Sequence, residues 1–559
     1  MKRLNKLAAT AAAVIMAVCT VAPTAVFAEP AATYSITVDQ NGVQSVDTKH
    51  VYTAYQVFTG NYSNGVLSDI AWGDGVDGDA LLAALKADTS FGEGETNTFA
   101  DCADGADVAA KMTSENGFTD NSEKAKAFAR LAAKNTKGSG VASVNGVISG
   151  LSDGYYLVKE NGAAAEGDSL TAAILKVVGS DVTVNRKTSN PSVDKQIYED
   201  TGSWGEVGDF DIGQEISFRV VVDLPSDWID YDKYFLNIHD QFDGITLDAD
   251  TAELWYIAPN TDLSDSETMT EGKGVTKLTN GYEISNTGAD GKTNAGSVDV
   301  KFTDVKTVTV GEGNPEEGGK IVLTYKGTLT GESNVGDAGS QAGNNNNYAE
   351  IIYSNNPDNS GDGEDGDTGT SPKDYAFAFT YELDTNKADA DDGSVTLEGA
   401  KFRLYKTVDS AKKYAVVEGG KLTGWTENEA EASELVTDGF GRFEVAGLDA
   451  DTYYLEETEA PKGYNKLAKP VKVVISADLK EENETGSIET LTISVDNGEA
   501  ADGDKTTGTV EAVIKNSKGS TLPSTGGIGT KIFHGVGSAL VLGSGVLLIS
   551  KNRMKKEQN

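Results

Sequence analysis

Two periodicities alternate in the first third of the chain. Runs such as Ser35 to Val38 and Val51 to Phe58 read as strands, whereas Ala80 to Lys86 and Ser122 to Ala133 space Ala, Leu and Lys for amphipathic helices. An α+β domain is therefore expected over residues 29–187. Beyond Thr188 the helical period fades. From Pro191 to about Asn356, and again from Tyr375 to Asn516, short alternating runs are broken by Gly, Asn and Asp, the pattern of β-sandwiches. A mostly β chain with tandem immunoglobulin-like sandwiches over 188–356 and 374–519 follows. Between them, residues 357–373 are mostly Asp, Gly, Ser and Thr without an apolar run, and read as a flexible acidic linker. Neither that run nor Asp389 to Gly393 has the spacing of a calcium loop, and a solvated surface is the plainer reading.

The ends carry targeting signals. Lys2, Arg3 and Lys6 precede an apolar run from Leu7 to Val26 and small residues up to Ala28, so residues 1–28 read as a signal peptide cleaved after Ala28. A lipid anchor on Cys19 is the competing reading, and Val18 before it is disfavoured there. At the other end, Leu522-Pro523-Ser524-Thr525-Gly526 stands before an apolar span, 532–549, and a basic tail, 550–559, with Lys551, Arg553, Lys555 and Lys556. Those basic residues stay cytoplasmic and leave everything before the span outside. The three parts in this order resemble a cell-wall sorting signal of the LPxTG kind. That resemblance implies that a sortase cysteine attacks the Thr525 carbonyl, releases Gly526 onward and passes the acyl group to an amine.

Composition then removes whole classes of function. A formal charge of −40 repels phosphates, so no nucleic-acid partner is expected. With the signal peptide gone, Cys102 is the sole cysteine and no intrachain disulfide can brace an exported chain. The three histidines, His50, His239 and His534, are scattered, which argues against a metal centre, a cofactor site or a hydrolase triad.

Some other brace is required, and the last sandwich points to one. Tyr453-Tyr454-Leu455-Glu456-Glu457-Thr458-Glu459-Ala460-Pro461-Lys462-Gly463-Tyr464 matches the YxLxETxAPxGY "E-box", and Gly441 to Leu448 resembles the strand entering it in collagen-adhesin B-type domains. The chain thus resembles the sortase-assembled fimbrial backbone proteins with self-forming isopeptide bonds. In that family a buried Lys and Asn on neighbouring strands join side chains and release ammonia beside a buried acid. The resemblance implies Lys387, Glu457 and Asn516 in the last domain, and Lys195, Asp240 and Asn347 in the middle one, with Asn347 chosen from the run Asn344 to Asn347. Strand phase agrees, because all six share faces with apolar neighbours. A buried salt bridge is the alternative for each set.

The resemblance also implies an acceptor lysine for polymerisation. Val178 to Lys187 is a degraded pilin motif, and Lys187 points opposite to Val182 and Val184, as an offered amine should. Gly154 to Glu160 is a shortened echo of the E-box without Lys and Asn partners, so no bond is expected in the first domain. The implied protein is a non-enzymatic shaft subunit of a wall-anchored pilus, Thr525 of one copy joined to Lys187 of the next. Its implied partners are pilus-type and housekeeping sortases, further copies of itself, ancillary pilins and peptidoglycan, and its alternative role is an ancillary or tip adhesin, or a monomeric wall-anchored surface protein, binding host matrix or cell surface.

Overall fold

The computed structural model describes residues 33–519, apart from 40–49, 163–166, 187, 288–294, 312, 331–334, 337–345, 360–363 and 482–484. The signal peptide and Ala28, Lys187, the sorting motif at 522–526, the apolar span and the basic tail lie outside the described residues. The chain is mostly β and divides into two compact units, the first formed mainly by residues up to 188, the second mainly by 189–519.

In the first unit, Val51–Ser63 pairs with Val66–Trp72 and Gly154–Asn161, and the sheet continues to Ile174–Val178. A second sheet sets Tyr34–Asp39 between Val147–Leu151 and, in parallel, Val182–Asn185. The expected helices form at Gly78–Ala87 and Glu123–Lys134. Each begins where a side-chain oxygen satisfies a free amide: Asp77 accepts from the Ala80 N–H and Ser122 from the Ala125 N–H. A third helix, Gly105–Lys111, was not foreseen, its seven residues being too few to show a period. Cys102 is buried in the helix–sheet core and unpaired.

The second unit holds two sandwiches. In the middle one a six-stranded sheet containing Ser192–Glu199, Glu215–Asp223 and Lys320–Leu329 shares its core with a sheet containing Leu236–Asp243, Ala295–Phe302 and Asn346–Ser354. In the last one, Tyr381–Asp389 pairs antiparallel with Arg442–Leu448 and parallel with Thr509–Asn516, and Thr452–Glu459 pairs with Lys401–Val408.

The stretch between the sandwiches is more structured than its composition suggests. Thr368–Thr370, inside the run read as a linker, adds to the edge of Asn346–Ser354. Asp374–Phe379, read as the start of the last domain, pairs with Asn346–Ser354 of the middle one and lies parallel to Val207–Asp209. Its Ala376 and Ala378 enter the middle core and its Phe377 and Phe379 the last core. Asp211 completes the joint. Its carboxylate accepts from Trp425 Nε1 at 3.0 Å and Tyr453 OH at 3.1 Å, and pairs with Lys406.

Candidate functional site: two buried amine–acid–carboxamide clusters

Each sandwich interior encloses one lysine, one acid and one asparagine. Lys195, Asp240, Asn347, Lys387 and Asn516 are all at 0% exposure and Glu457 is at 2%. Charged groups are seldom buried so completely without a purpose or a partner, because leaving water is costly. The alternation of each strand puts them there. Lys195 is flanked in phase by Val193 and Ile197, Asp240 follows Leu236 and Ile238, and Asn516 follows Val510, Ala512 and Ile514.

In the last domain the three side chains touch one another. Lys387 Nζ donates to Asn516 Oδ1. Asn516 Nδ2 donates to Glu457 Oε1 at 2.8 Å and Oε2 at 3.0 Å, and to the Asn465 carbonyl at 2.9 Å. Glu457 Oε1 is also 3.5 Å from Lys387 Nζ, so one carboxyl oxygen spans the amine and the carboxamide nitrogen. The Leu467 N–H donates to Oε2 at 2.7 Å and fixes the carboxyl group. Burial lowers the Lys387 amine to about 8, against the opposing pull of Glu457.

The middle cluster is arranged differently. Lys195 Nζ lies 2.5 Å from Asp240 Oδ2 and 2.7 Å from Tyr325 OH. Tyr325 OH donates to Asp240 Oδ1 at 2.9 Å and accepts from Asn347 Nδ2. Asp240 therefore meets Asn347 through the tyrosine, and Asn347 Oδ1 has no hydrogen-bond partner among the described residues. Burial lowers the Lys195 amine and raises the Asp240 carboxyl, each shift favouring the neutral form. Lys195 and Tyr325 stand on one sheet and Asp240 and Asn347 on the other, so a bond between Lys195 and Asn347 would span the sandwich.

Tyr325 is the residue that sequence reasoning missed. It shares a face with Ile321 and Leu323, which marked it as inward, but an inward tyrosine carries no charge to single it out. The first unit differs again. Glu160, which ends the E-box echo, is buried and paired with His50. Its other oxygen accepts from the Thr171 N–H at 2.7 Å and lies 3.7 Å from Arg186 Nε. Among the described residues, an imidazole and a guanidinium rather than an amine and a carboxamide face Glu160.

Residues 382–489 match the SpaA prealbumin-like fold domain, and residues 514–557 match the LPXTG cell wall anchor motif. The chain is 24% identical over 285 residues to the trypsin-resistant surface T6 protein of Streptococcus pyogenes serotype M6. That alignment covers 41% of this chain and 48% of the relative, about half its length. Among solved structures, the T6 backbone pilin of serotype M6 S. pyogenes aligns over 87% of this chain and 98% of its own, with 16% identity and a TM-score of 0.48. The major pilin SpaD of Corynebacterium diphtheriae aligns over 88% and 98%, with 15% identity and a TM-score of 0.42. The group B streptococcus pilus 2b backbone protein aligns over 60% and 99%, with 20% identity and a TM-score of 0.39.

Proposed function

We propose that this chain, a cell-wall-anchored surface protein of the sortase-assembled major pilin type, is the repeating backbone subunit of a covalent pilus. A sortase cleaves after Thr525 and joins its carboxyl to Lys187 of the next copy, and each sandwich closes one internal Lys–Asn amide. The chain is a substrate of enzymes and turns over nothing itself.

The observation that carries this reading is the Glu457 oxygen shared by amine and carboxamide. Neutral Lys387 Nζ attacks Asn516 Cγ, and a proton from the attacking nitrogen passes through Glu457 to Asn516 Nδ2, which leaves as ammonia. A new C–N bond replaces the old one, and proton count and charge balance without any other reactant. The acid works where it stands, 2.8 Å from the leaving nitrogen. Proximity supplies most of the acceleration, since the partners are held in contact by the fold. In the middle domain Lys195 and Asn347 play the same parts. Tyr325 relays between Asp240 and the carboxamide, and the unpaired Asn347 Oδ1 is free to accept a hydrogen bond as charge develops on it.

Intact mass measurement of the secreted ectodomain tests this. Two closed bonds leave the mass two ammonia molecules below the value calculated from the sequence. A full calculated mass overturns the chemistry.

A further inference from the structure

The covalent joint proposed above is short at its donor end. Residues 517–519 are laced onto the end of the E-box and the residue after it: the Asn465 N–H donates to the Ser517 carbonyl at 2.9 Å and the Gly519 N–H to the Gly463 carbonyl at 2.8 Å. Lys518 Nζ sits 2.8 Å from Asp389 Oδ2, which also accepts from Tyr464 OH at 2.8 Å. The chain is thus pinned as far as Gly519. The six residues from there to Thr525 span at most ~20 Å. Whatever carries the acceptor lysine must lie against this end of the last domain.

That end presents an aromatic side chain to solvent. Phe440 is 76% exposed, the highest value for any large apolar residue among those described. Its turn is rigid: the Phe440 and Arg442 N–H groups both donate to Asp438 Oδ1 at 2.9 Å, and Gly441 takes the φ of 76° that closes it. The turn abuts the pinned exit, because the Lys387 N–H donates to the Gly441 carbonyl at 2.8 Å. Val395, 41% exposed, accepts at its carbonyl from the Asp389 N–H at 2.9 Å and stands at the same end.

The acceptor end has a counterpart. Lys187 follows Arg186, whose N–H donates to the Asp39 carbonyl at 2.9 Å, and the adjacent Val38 N–H donates to the Gly146 carbonyl at 2.9 Å. Gly146 belongs to the Asn145–Gly146 turn flanked by Val144, which at 72% is the second most exposed large apolar residue among those described. The two most exposed large apolar side chains among the described residues therefore flank the two ends of one proposed bond.

Resting on the Thr525–Lys187 joint, we propose that the Phe440 turn of one subunit packs against the Val144 turn of the first domain of the next, the partner being a second copy of this chain. So small a contact falls far short of the ~1,000 Å² that holds free proteins together. It forms once the joint raises the local concentration of one turn around the other. Unjoined subunits stay monomeric, and the shaft stiffens as it polymerises. A preorganised aromatic anchor suits that task, since little freedom is lost on docking.

The test is the Phe440→Cys, Val144→Cys double variant, expressed in cells that assemble it and oxidised mildly. Cys102 is 2% exposed and does not compete. The expected result is a disulfide linking the peptide around residue 440 to the peptide around residue 144 in assembled fibres. The same link is lost when Lys187→Ala is added and the subunits stay separate. A ladder without that disulfide, or equal disulfide in the separate subunits, overturns the contact while leaving the joint intact. Absence of any ladder from the chain with native Phe440 and Val144 overturns the joint itself, and the contact with it. A benzophenone side chain placed at 440 provides a second readout, because its adduct must map to the strands around Val144.

Discussion

Removing Glu457 separates two effects that share one site. A Lys387–Asn516 bond closes a loop of about 130 residues, and denying that freedom to the unfolded chain stabilises the domain by ~5 kcal/mol on loop-closure grounds. Glu457→Ala prevents closure and loses that term. It also leaves the Lys387 amine buried without its acid, at a further ~1–3 kcal/mol, a modest figure because an amine already lowered to about 8 sheds its proton readily. Lys387→Met loses the bond but buries no amine. For a domain of this size each kcal/mol moves the midpoint by ~3–4 °C. Lys387→Met should therefore melt the last domain about 15–20 °C below the native protein. Glu457→Ala should fall several degrees lower still. Calorimetry of both variants, with intact masses measured on the same samples, checks the ordering. If native protein and Lys387→Met melt together, the bond is absent, and if Glu457→Ala retains the mass deficit, the acid has no part in forming it.

Tyr325→Phe should slow or abolish closure in the middle domain alone, seen as a mass only one ammonia below the value calculated for that variant, the last domain still being closed. Closure of protein folded for the first time from a denatured, still unclosed state should quicken as pH rises toward about 8, because the attacking form of Lys387 is the neutral one; a rate flat from pH 6 to 8 contradicts that. Burial pushes Glu199 up to about 8 and Asp209 up to about 6 where they meet beside the joint between the sandwiches. Their folded-state values exceed the unfolded ones of about 4, so this contribution is full only below about pH 4 and is lost progressively as pH rises, through about 6 for Asp209 and about 8 for Glu199. Hydrogen exchange at Val207–Asp209 should quicken over that range, and Glu199→Gln should flatten the response. Asp389 behaves oppositely. Lys518 and Tyr464 hold its carboxyl far below the usual range, so its latch on the tail is lost only in strong acid, read as exchange at 517–519.

Alternation carried most of the site because a sandwich interior excludes water from one face of every strand. Lys195, Asp240 and Asn516 could be placed inward from their apolar neighbours alone. What alternation cannot register is a strand buried on both faces. Tyr375-Ala376-Phe377-Ala378-Phe379 is apolar throughout, so nothing in it marks that its small residues face one core and its large ones another, and the domain boundary was drawn ahead of it. Thr368–Thr370 escaped for another reason. Its pairing comes from main-chain groups at a sheet edge, which any residue can offer, and its side chains carry no signal. Asp211 likewise reads as one more surface acid, since its partners Lys406, Trp425 and Tyr453 stand some two hundred residues away.

The three domains also differ in how tension would reach them. With Lys187 as acceptor and Thr525 as donor, force enters the chain just before Lys195 and leaves it just after Asn516. A Lys195–Asn347 bond carries that force past the whole middle sandwich, and a Lys387–Asn516 bond past the last, so neither is asked to unravel. The about 40 residues from Asn347 to Lys387 are not bypassed. This is the stretch where Thr368–Thr370 and Asp374–Phe379 join the middle sheet and where Val207–Asp209 lies alongside. Main-chain pairing resists there where no amide does. The first domain, residues 33–186, precedes the acceptor and stands outside the load path altogether. With Lys187 as acceptor no pulling force would cross that interior, where the buried Glu160 is paired with His50.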